Sequence, residues 1–283
     1  MKVYAYNNLA KPEWFLQIIE NKHKSELSSL SRVKQVSEPT MFIKQYKDTS
    51  TYIVSSLYGN KNSSGVILLA LIDKSSKKVL ASTAQKIEIF FSDENSIKVD
   101  LSYDNISKNL SFAVLLTTYI ANVTPTYLRE DIYLYEINNF EIIPLLSKFL
   151  IKKSHFLRGA ECYTDYNEIK YTRYLKNKKQ DNTIYFSGYY KHIEEKYKTQ
   201  DISNQCFPKE NKMGRLNIRL QMHNGRYEIT KKTAIINNSS FKNLYQISKI
   251  FQISIDDIIK LNPNVKVHKL KLGDEVNLPF KNN

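Results

Sequence analysis

Residues 233–280 read TAIINNSSFKNLYQISKIFQISIDDIIKLNPNVKVHKLKLGDEVNLPF and hold the clearest succession of elements in the chain. The β-prone run 234–236 is followed by two segments whose apolar residues recur at helical spacing. Asn243 occupies the N-cap position before the first helical segment. The second segment opens at Ser254, with Asp257 three residues later as a variant of the capping box. The pattern therefore predicts a strand followed by two helices.

The second helix and the segment after it complete a compact unit. Its predicted apolar face consists of Ile255, Ile258, Ile259 and Leu261. Asn262-Pro263-Asn264 ends the helix, because the residue before a proline avoids the α region. A turn at Gly273-Asp274 then leads into the alternating residues Val276 and Leu278, which predict a closing strand.

This order and these residues resemble the LysM family, whose members are small βααβ modules. The matching positions are Leu244, Tyr245, Ile247, Ile253, Ser254, Leu261, Asn262, Pro263, Leu270, Gly273, Val276, Leu278 and Pro279. The resemblance covers about a sixth of the chain, roughly residues 233–280. It implies binding of N-acetylglucosamine polymers (peptidoglycan or chitin) in a shallow groove between two loops.

The resemblance also implies which residues bind the glycan or a partner. They are Lys242, Asn243, Leu244 and Tyr245 around the first loop, with Asn262, Pro263, Asn264 and Val265 in the second. Phe241-Lys242-Asn243 stands where the family usually has a Gly-Asp-Thr-like triplet. A glycine there would allow positive φ and close approach of the backbone to a ligand.

The rest of the chain is β-rich and begins with a helix. Pro12 opens an amphipathic segment, 12–35, whose apolar cluster is Trp14, Phe15, Ile18 and Ile19. From residue 40 to 138 the period changes to two. The predicted strands are 41–46, 51–57, 65–73, 79–82, 87–91, 97–101, 110–119 and 131–137. Short strands at this spacing favour an antiparallel sandwich or barrel.

Residues 140–151 contain an apolar run that fits either a short helix starting near Pro144 or a connector. In the Tyr- and Lys-rich region that follows, 183–190 and 215–222 predict strands, 193–197 fits a helix and 208–214 fits a loop. The predicted fold class is thus a mixed, β-rich α+β fold. The predicted domains are 1–152 (leading helix and β domain), 153–230 (basic middle region) and 231–283 (LysM-like module).

Charge is concentrated in the middle of the chain. Residues 151–232 hold 18 Lys and Arg against 9 Asp and Glu, so this region supplies +9 of the total formal charge of +14. A basic excess fits nucleic acid, anionic lipid, an acidic partner or a solubilising surface. Tyrosine, however, is an ordinary strand residue, and lysines also protect strand edges.

The N-terminus lacks an apolar signal-peptide core, and no apolar stretch is long enough to span a bilayer. We expect synthesis in the cytoplasm, with a final location either within a phage-tail-like particle or at the cell envelope. Cys162 and Cys206 are the only cysteines. Two cysteines form no disulfide framework, so free thiols are favoured over a bridge between them.

The motifs of common enzymes are missing from the sequence. It has no Gly-rich phosphate loop, nucleophile elbow or paired-cysteine motif. His192 with Glu194 and Glu195 lacks the HExxH spacing and fits a solvated face better than a metal site. We therefore expect no catalytic residues, no metal and no cofactor.

Three functions remain open. The favoured one is a non-enzymatic adaptor, docked through its LysM-like module to protein subunits of a larger assembly such as a phage-tail-like or contractile injection baseplate. The second is a peptidoglycan-binding protein that anchors its N-terminal domain to the cell wall. Nucleic-acid binding through the basic middle region ranks last.

Overall fold

The fold was obtained as a computed structural model. It describes residues 13–28, 40–45, 51–59, 64–88, 97–104, 110–120, 126–158, 164–174, 183–196, 207–236, 241–251 and 253–280. Cys162 and Cys206 lie outside these residues, so free thiols stay a prediction. Within the described ranges, no helix is long and apolar enough to cross a membrane.

The described elements are mostly strands. The helices are α1 (Glu13–Lys22), α2 (Lys24–Ser28), α3 (Leu244–Phe251) and α4 (Ile255–Leu261). The strands are β1 (Thr40–Gln45), β2 (Thr51–Gly59), β3 (Ser64–Asp73), β4 (Lys78–Glu88), β5 (Ile97–Asp104), β6 (Leu110–Ile120), β7 (Thr126–Asn138), β8 (Glu141–Arg158), β9 (Thr164–Tyr174), β10 (Thr183–Lys196), β11 (Phe207–His223), β12 (Arg226–Ile235) and β13 (Glu275–Asn277). The predicted β-rich α+β fold class is confirmed.

Two meander sheets organise the chain. One has four strands in the order β1-β2-β3-β4, and the other has nine in the order β13-β12-β11-β10-β9-β8-β7-β6-β5. Neighbours in each sheet follow one another in sequence, so short turns suffice to connect antiparallel pairs. The chain forms two compact units, which are residues 1–120 with 131–149 and residues 121–130 with 150–283.

The first unit is built around a core between sheet faces. Its buried apolar side chains come from β2, β3 and β4 of the small sheet and from β5 to β8 of the large one. Fully buried members include Ile67, Leu69, Val114 and Tyr135, and the Phe112 and Tyr135 rings stack with centroids 5.3 Å apart. This two-layer packing agrees with the predicted antiparallel sandwich.

Helix α1 covers the opposite face of the small sheet. Phe15 and Ile19 are buried against a cluster that includes Val66 and Leu68, while Ile18 is 47% exposed. Ile18 was therefore wrongly assigned to the buried face of the helix. Phe15 and Ile19 are four residues apart and therefore share one face of the helix. Ile18 points away from that face, toward solvent.

Several predictions about irregular segments are wrong. Residues 141–151 belong to the 18-residue strand β8, not to a helix starting near Pro144. The segments predicted as helix at 193–197 and as loop at 208–214 lie largely in β10 and β11, which pair over almost their full length. The break predicted between two strands at 83–86 is absent, since β4 runs through it.

Two tight turns explain the long hairpins. Asn139 and Phe140 both have positive φ, 47° and 61°, between β7 and β8. Asn224 and Gly225, between β11 and β12, also have positive φ, 48° and 77°. Two central residues at positive φ are typical of the type I′ turn, whose twist matches that of a two-stranded ribbon.

Replacing Phe15 by alanine tests the packing of α1. Phe15 is 0% exposed, so Phe15→Ala should lower the free energy of unfolding of the first unit by about 3–5 kcal/mol. Ile18→Ala, at a position 47% exposed, should change it by less than about 0.5 kcal/mol. Urea unfolding followed by the fluorescence of Trp14 measures both. Equal effects of the two substitutions would contradict the assigned helix face.

Candidate functional site

Strand β12 joins the large sheet to the C-terminal helices. Along one edge it pairs with β11, and along the other it pairs with β13, where Thr233, Ala234 and Ile235 face Asn277, Val276 and Glu275. Ala234 and Val276 are both fully buried. The order β12, α3, α4, β13 is therefore a βααβ unit whose first strand is also the penultimate strand of the nine-stranded sheet.

Buried apolar side chains from the four elements and the segments beside them form the core of the βααβ unit. They are Ala234, Ile236, Leu244, Ile247, Ile253, Ile258, Val276 and Leu278, none more than 6% exposed. Leu261, predicted on the apolar face of α4, is 45% exposed instead. It lies in the last turn of that helix, beyond the cover of the two strands.

The cap of α3 is formed as predicted. The Asn243 side-chain oxygen accepts a hydrogen bond from the Gln246 N–H at 3.0 Å, which satisfies one of the free donors of the first turn. The Gln246 side chain in turn accepts the Lys242 N–H at 2.7 Å, a reciprocal arrangement close to a capping box. The Asn243 side-chain oxygen thus stabilises the start of α3.

The capping-box prediction for α4 is wrong. Ser254 occupies the N-cap, but its side chain makes no capping hydrogen bond. Its carbonyl oxygen accepts the Ile258 N–H at 3.2 Å, as the backbone of an N-cap residue does. Asp256 and Asp257 in the first turn complement the positive end of the helix dipole.

Asn262 fixes the second loop to the closing strand. Its side-chain nitrogen donates to the carbonyl oxygens of Ile258 (2.7 Å) and Asn277 (2.8 Å), and its oxygen accepts the Asn277 N–H (2.7 Å). The side chain is 4% exposed, so water does not replace these bonds. Asn262 therefore has a structural role and presents no free polar atom to a ligand.

The two loops are connected by backbone hydrogen bonds. The Leu244 N–H donates to the Val267 carbonyl and the Leu270 N–H to the Lys242 carbonyl, both at 3.0 Å. The first loop thus lies against residues 267–270, which continue from the second loop. The Tyr245 ring lies beside the His268 ring, with centroids 5.7 Å apart.

The eight predicted site residues differ in their exposure to solvent. Leu244 and Asn262 are buried, and Asn243 and Val265 are half-buried. The exposed residues are Lys242, Tyr245, Pro263 and Asn264, with Tyr245 52% exposed. Across the described residues, no three His, Cys, Asp or Glu side chains are grouped so that they could hold a metal ion.

Residues 243–279 match the family model of the LysM domain. The C-terminal βααβ segment is a LysM domain. The match covers α3, α4 and β13, and it includes every predicted site residue except Lys242. No curated protein and no solved structure matches the chain.

Three aromatic rings attach the LysM domain to the large sheet. Tyr190 of β10 stacks on Phe241 with centroids 4.4 Å apart and an interplanar angle of 14°. Phe251 at the end of α3 meets Tyr190 at 5.3 Å and Phe241 at 5.9 Å in edge-on geometry. Such pairs add about 0.5–1.5 kcal/mol each beyond the burial of their area. We call these three residues the aromatic clamp.

Gly214 makes room for the aromatic clamp. It is paired with Tyr190 across β10 and β11, and a Cβ at Gly214 would overlap the Tyr190 ring. At Gly188, which pairs with Tyr171 on β9, a Cβ would overlap the Lys170 backbone carbonyl first and then Tyr171. Burial raises the pKa of the Tyr190 hydroxyl, which therefore stays neutral. The Tyr190 ring thus covers Gly214 on the neighbouring strand.

The clamp gives Phe241 a structural role. Phe241 lies two residues before the family match begins, and it is 2% exposed against the sheet. Its partner could not be predicted from the sequence, because Tyr190 is 51 residues away and no spacing links the two. His268 was missed for the same reason. Only the hydrogen-bonded loops bring it to Tyr245.

Asn262→Ala tests the structural role of that residue. The substitution leaves the half-buried backbone N–H and C=O of Asn277 without their Asn262 partner, which should cost about 2–4 kcal/mol in local opening. Hydrogen–deuterium exchange in peptides from residues 253–280 should become faster. Asn264→Ala, at an exposed position in the same loop, should leave exchange there unchanged. Equal protection in both variants would exclude the assigned role.

Phe241→Ala tests the aromatic clamp. Loss of a ring buried between Tyr190 and Phe251 should destabilise the attachment of the LysM domain by about 3–5 kcal/mol. Exchange of the amides at the β12–β13 pairing reports this opening. The matched control is Tyr245→Ala, which removes an exposed ring from the same domain and should have little effect. No difference between the two would contradict the clamp.

Proposed function

We propose that this protein is a non-enzymatic attachment protein whose LysM domain binds polymers of N-acetylglucosamine, such as peptidoglycan. The observation that carries the proposal is the LysM domain at residues 243–279, with both loops of its binding surface held in place by backbone hydrogen bonds. Preorganised loops support binding because a ligand does not have to order them. The proposal involves no catalytic step, metal or cofactor.

Tyr245 is the best-placed ring for a sugar. More than half of its surface is exposed, and its neighbour His268 limits where the ring can go. Carbohydrate rings present C–H faces that pack on aromatic side chains, while a few placed polar groups set the orientation. Tyr245 therefore supplies the apolar contact on the first loop.

Asn264 and Pro263 supply the contact on the second loop. Both are exposed, and they follow directly after the buried Asn262, whose hydrogen bonds fix where they point. The Asn264 amide offers a donor and an acceptor suited to the acetamido group and the hydroxyls of N-acetylglucosamine. Leu244, Asn262 and Asn243 support the site without touching the glycan through their side chains.

A surface of this size gives weak binding. A shallow site with one exposed ring and one exposed amide buries little of a polymer, and one LysM domain matches in this chain. Several copies on one glycan strand would raise the overall affinity through effective concentration. We therefore expect useful retention on insoluble peptidoglycan where many chains act together.

The second candidate is the docking adaptor of a larger assembly, such as a phage-tail-like or contractile injection baseplate. The observation that favours it is Phe241, whose ring packs against Tyr190 of the large sheet. A LysM domain attached rigidly to a large sheet suits a subunit that must hold a fixed orientation. If the protein is such an adaptor, the exposed Tyr245 and Pro263 contact a partner protein.

Glycan titration tests the first candidate. A chitin hexasaccharide titrated into the full chain by calorimetry should bind, and Tyr245→Ala or Asn264→Ala should each weaken binding about 5- to 50-fold. Asp256→Ala is the matched control. It lies at the start of α4, at the end of the helix away from Asn264, and should bind as the parent does.

The outcome also separates the two candidates. Absence of hexasaccharide binding and of retention on peptidoglycan would reject the glycan function. Co-purification of the parent chain with assembly subunits, lost in Tyr245→Ala but not in Asp256→Ala, would then support the adaptor.

A further inference from the structure

In the second unit, Phe241 beside the LysM domain packs on the face of the large sheet that carries Tyr190. On β10, Ile184, Phe186 and Tyr190 are buried, and on β11 Leu216, Ile218 and Leu220 are buried. Side chains alternate across a strand, so the residues between them point to the other face. That outward face carries exposed and half-buried polar residues.

Strand register places the outward basic residues in one row. Lys152 of β8 pairs with Lys170 of β9, Lys170 pairs with Tyr189 of β10, and Tyr189 pairs with Arg215 of β11. The row therefore crosses four adjacent strands with a tyrosine between two cations. Paired residues share one face, so these four side chains point the same way.

Further residues extend this row along the strands. Tyr185 pairs with Arg219, four residues along each strand from Tyr189 and Arg215, and Lys191 lies two residues to the other side. We call Lys152, Lys170, Lys191, Arg215, Arg219 and Tyr189 the basic face. Lys170, Arg215 and Arg219 are exposed, and the other three are half-buried.

Charge on the basic face is mainly positive. Beyond Arg215 the row continues through Ile235 of β12 to Glu275 of β13, which forms an ion pair with Lys231 at 3.3 Å. Among the described outward side chains of β9, β10 and β11, Glu168 is the acidic one. Its carboxylate accepts a hydrogen bond from the Tyr189 hydroxyl at 3.1 Å. This bond holds the tyrosine ring among the cations. Strands lie about 4.8 Å apart, so Lys170 and Arg215 stand about 10 Å apart with Tyr189 midway.

We propose that the basic face binds single-stranded nucleic acid. Lysine and arginine neutralise phosphates along a strand, and an aromatic ring between them stacks a base. Tyrosines and lysines are common in strands, so the sequence alone favours this function least. The strand register adds support, since it places Tyr189 and the cations on one face of adjacent strands.

The tyrosine distinguishes a nucleic acid from other polyanions. An acidic protein or inorganic polyphosphate uses the cations alone, whereas a single strand also uses the ring. Duplex DNA keeps its bases stacked inside and offers only its phosphates and groove edges. The basic face should therefore prefer single strands, with affinity that falls steeply as salt rises.

Fluorescence anisotropy with a labelled 20-nucleotide oligothymidine and the full chain tests the proposal. In Arg215→Gln/Arg219→Gln, the slope of log affinity against log salt should become shallower by about 1.4, or 0.7 for each lost phosphate contact. Tyr189→Leu should weaken binding about 5- to 100-fold and leave the slope unchanged. Lys74→Gln/Lys77→Gln, in the exposed β3–β4 turn of the first unit, removes the same charge and should bind as the parent does.

The same assay can overturn the proposal. Circular dichroism and thermal unfolding identical to the parent establish that each variant is folded. Absence of binding at 50 mM salt, or an equal slope change in both double variants, would reject the basic face as the site. Parent-like affinity of Tyr189→Leu, with inorganic polyphosphate competing equally well, would show a general anion surface and reject a nucleic-acid site.

Discussion

The pairing of β12 on both of its edges is the constraint on which the C-terminal half of the protein depends. Its contacts with β11 make it part of the nine-stranded sheet, and its contacts with β13 make it the first strand of the LysM domain. One strand is thus shared by the sheet and the domain. Ala234 lies opposite Leu216 on one side and Val276 on the other, and all three are fully buried. The domain cannot separate from the sheet without losing its own first strand.

The aromatic clamp reinforces this connection. Phe241 stacks on Tyr190, and Gly214 leaves the space that the tyrosine ring fills. The first loop therefore serves two purposes. Phe241 faces the sheet, while Tyr245, four residues on, faces solvent beside His268. A binding surface held in this way has a defined orientation relative to the sheet that carries it.

The LysM domain could be predicted from sequence because its determinants are local. Helical spacing, the Asn243 cap and the proline after α4 all act within a few residues. The family model at 243–279 and the hydrogen bond of Asn243 confirm them. The exposed and buried site residues could not be told apart, since Asn262 and Asn264 look alike in sequence. Only the three-dimensional contacts of Asn262 with Asn277 show which amide is free.

Long strands were harder to predict than short ones. Residues 141–151 and 208–214 contain prolines or polar clusters that locally favour a helix or a loop, yet β8 and β11 run through them. Pairing with neighbours on both sides outweighs such weak local preferences. The Asn139-Phe140 turn was hidden as well, because a phenylalanine at positive φ carries no turn signal.

The central claim is that a preorganised LysM surface, fixed to the large sheet, binds an N-acetylglucosamine polymer. Hydrogen–deuterium exchange of the full chain with and without a chitin hexasaccharide tests it most directly. The account predicts new protection confined to peptides covering residues 241–246 and 262–270, with the β12–β13 amides already protected in the free protein. Unchanged exchange in both loops at saturating hexasaccharide, or rapid exchange of β12 and β13 in the free protein, would contradict it.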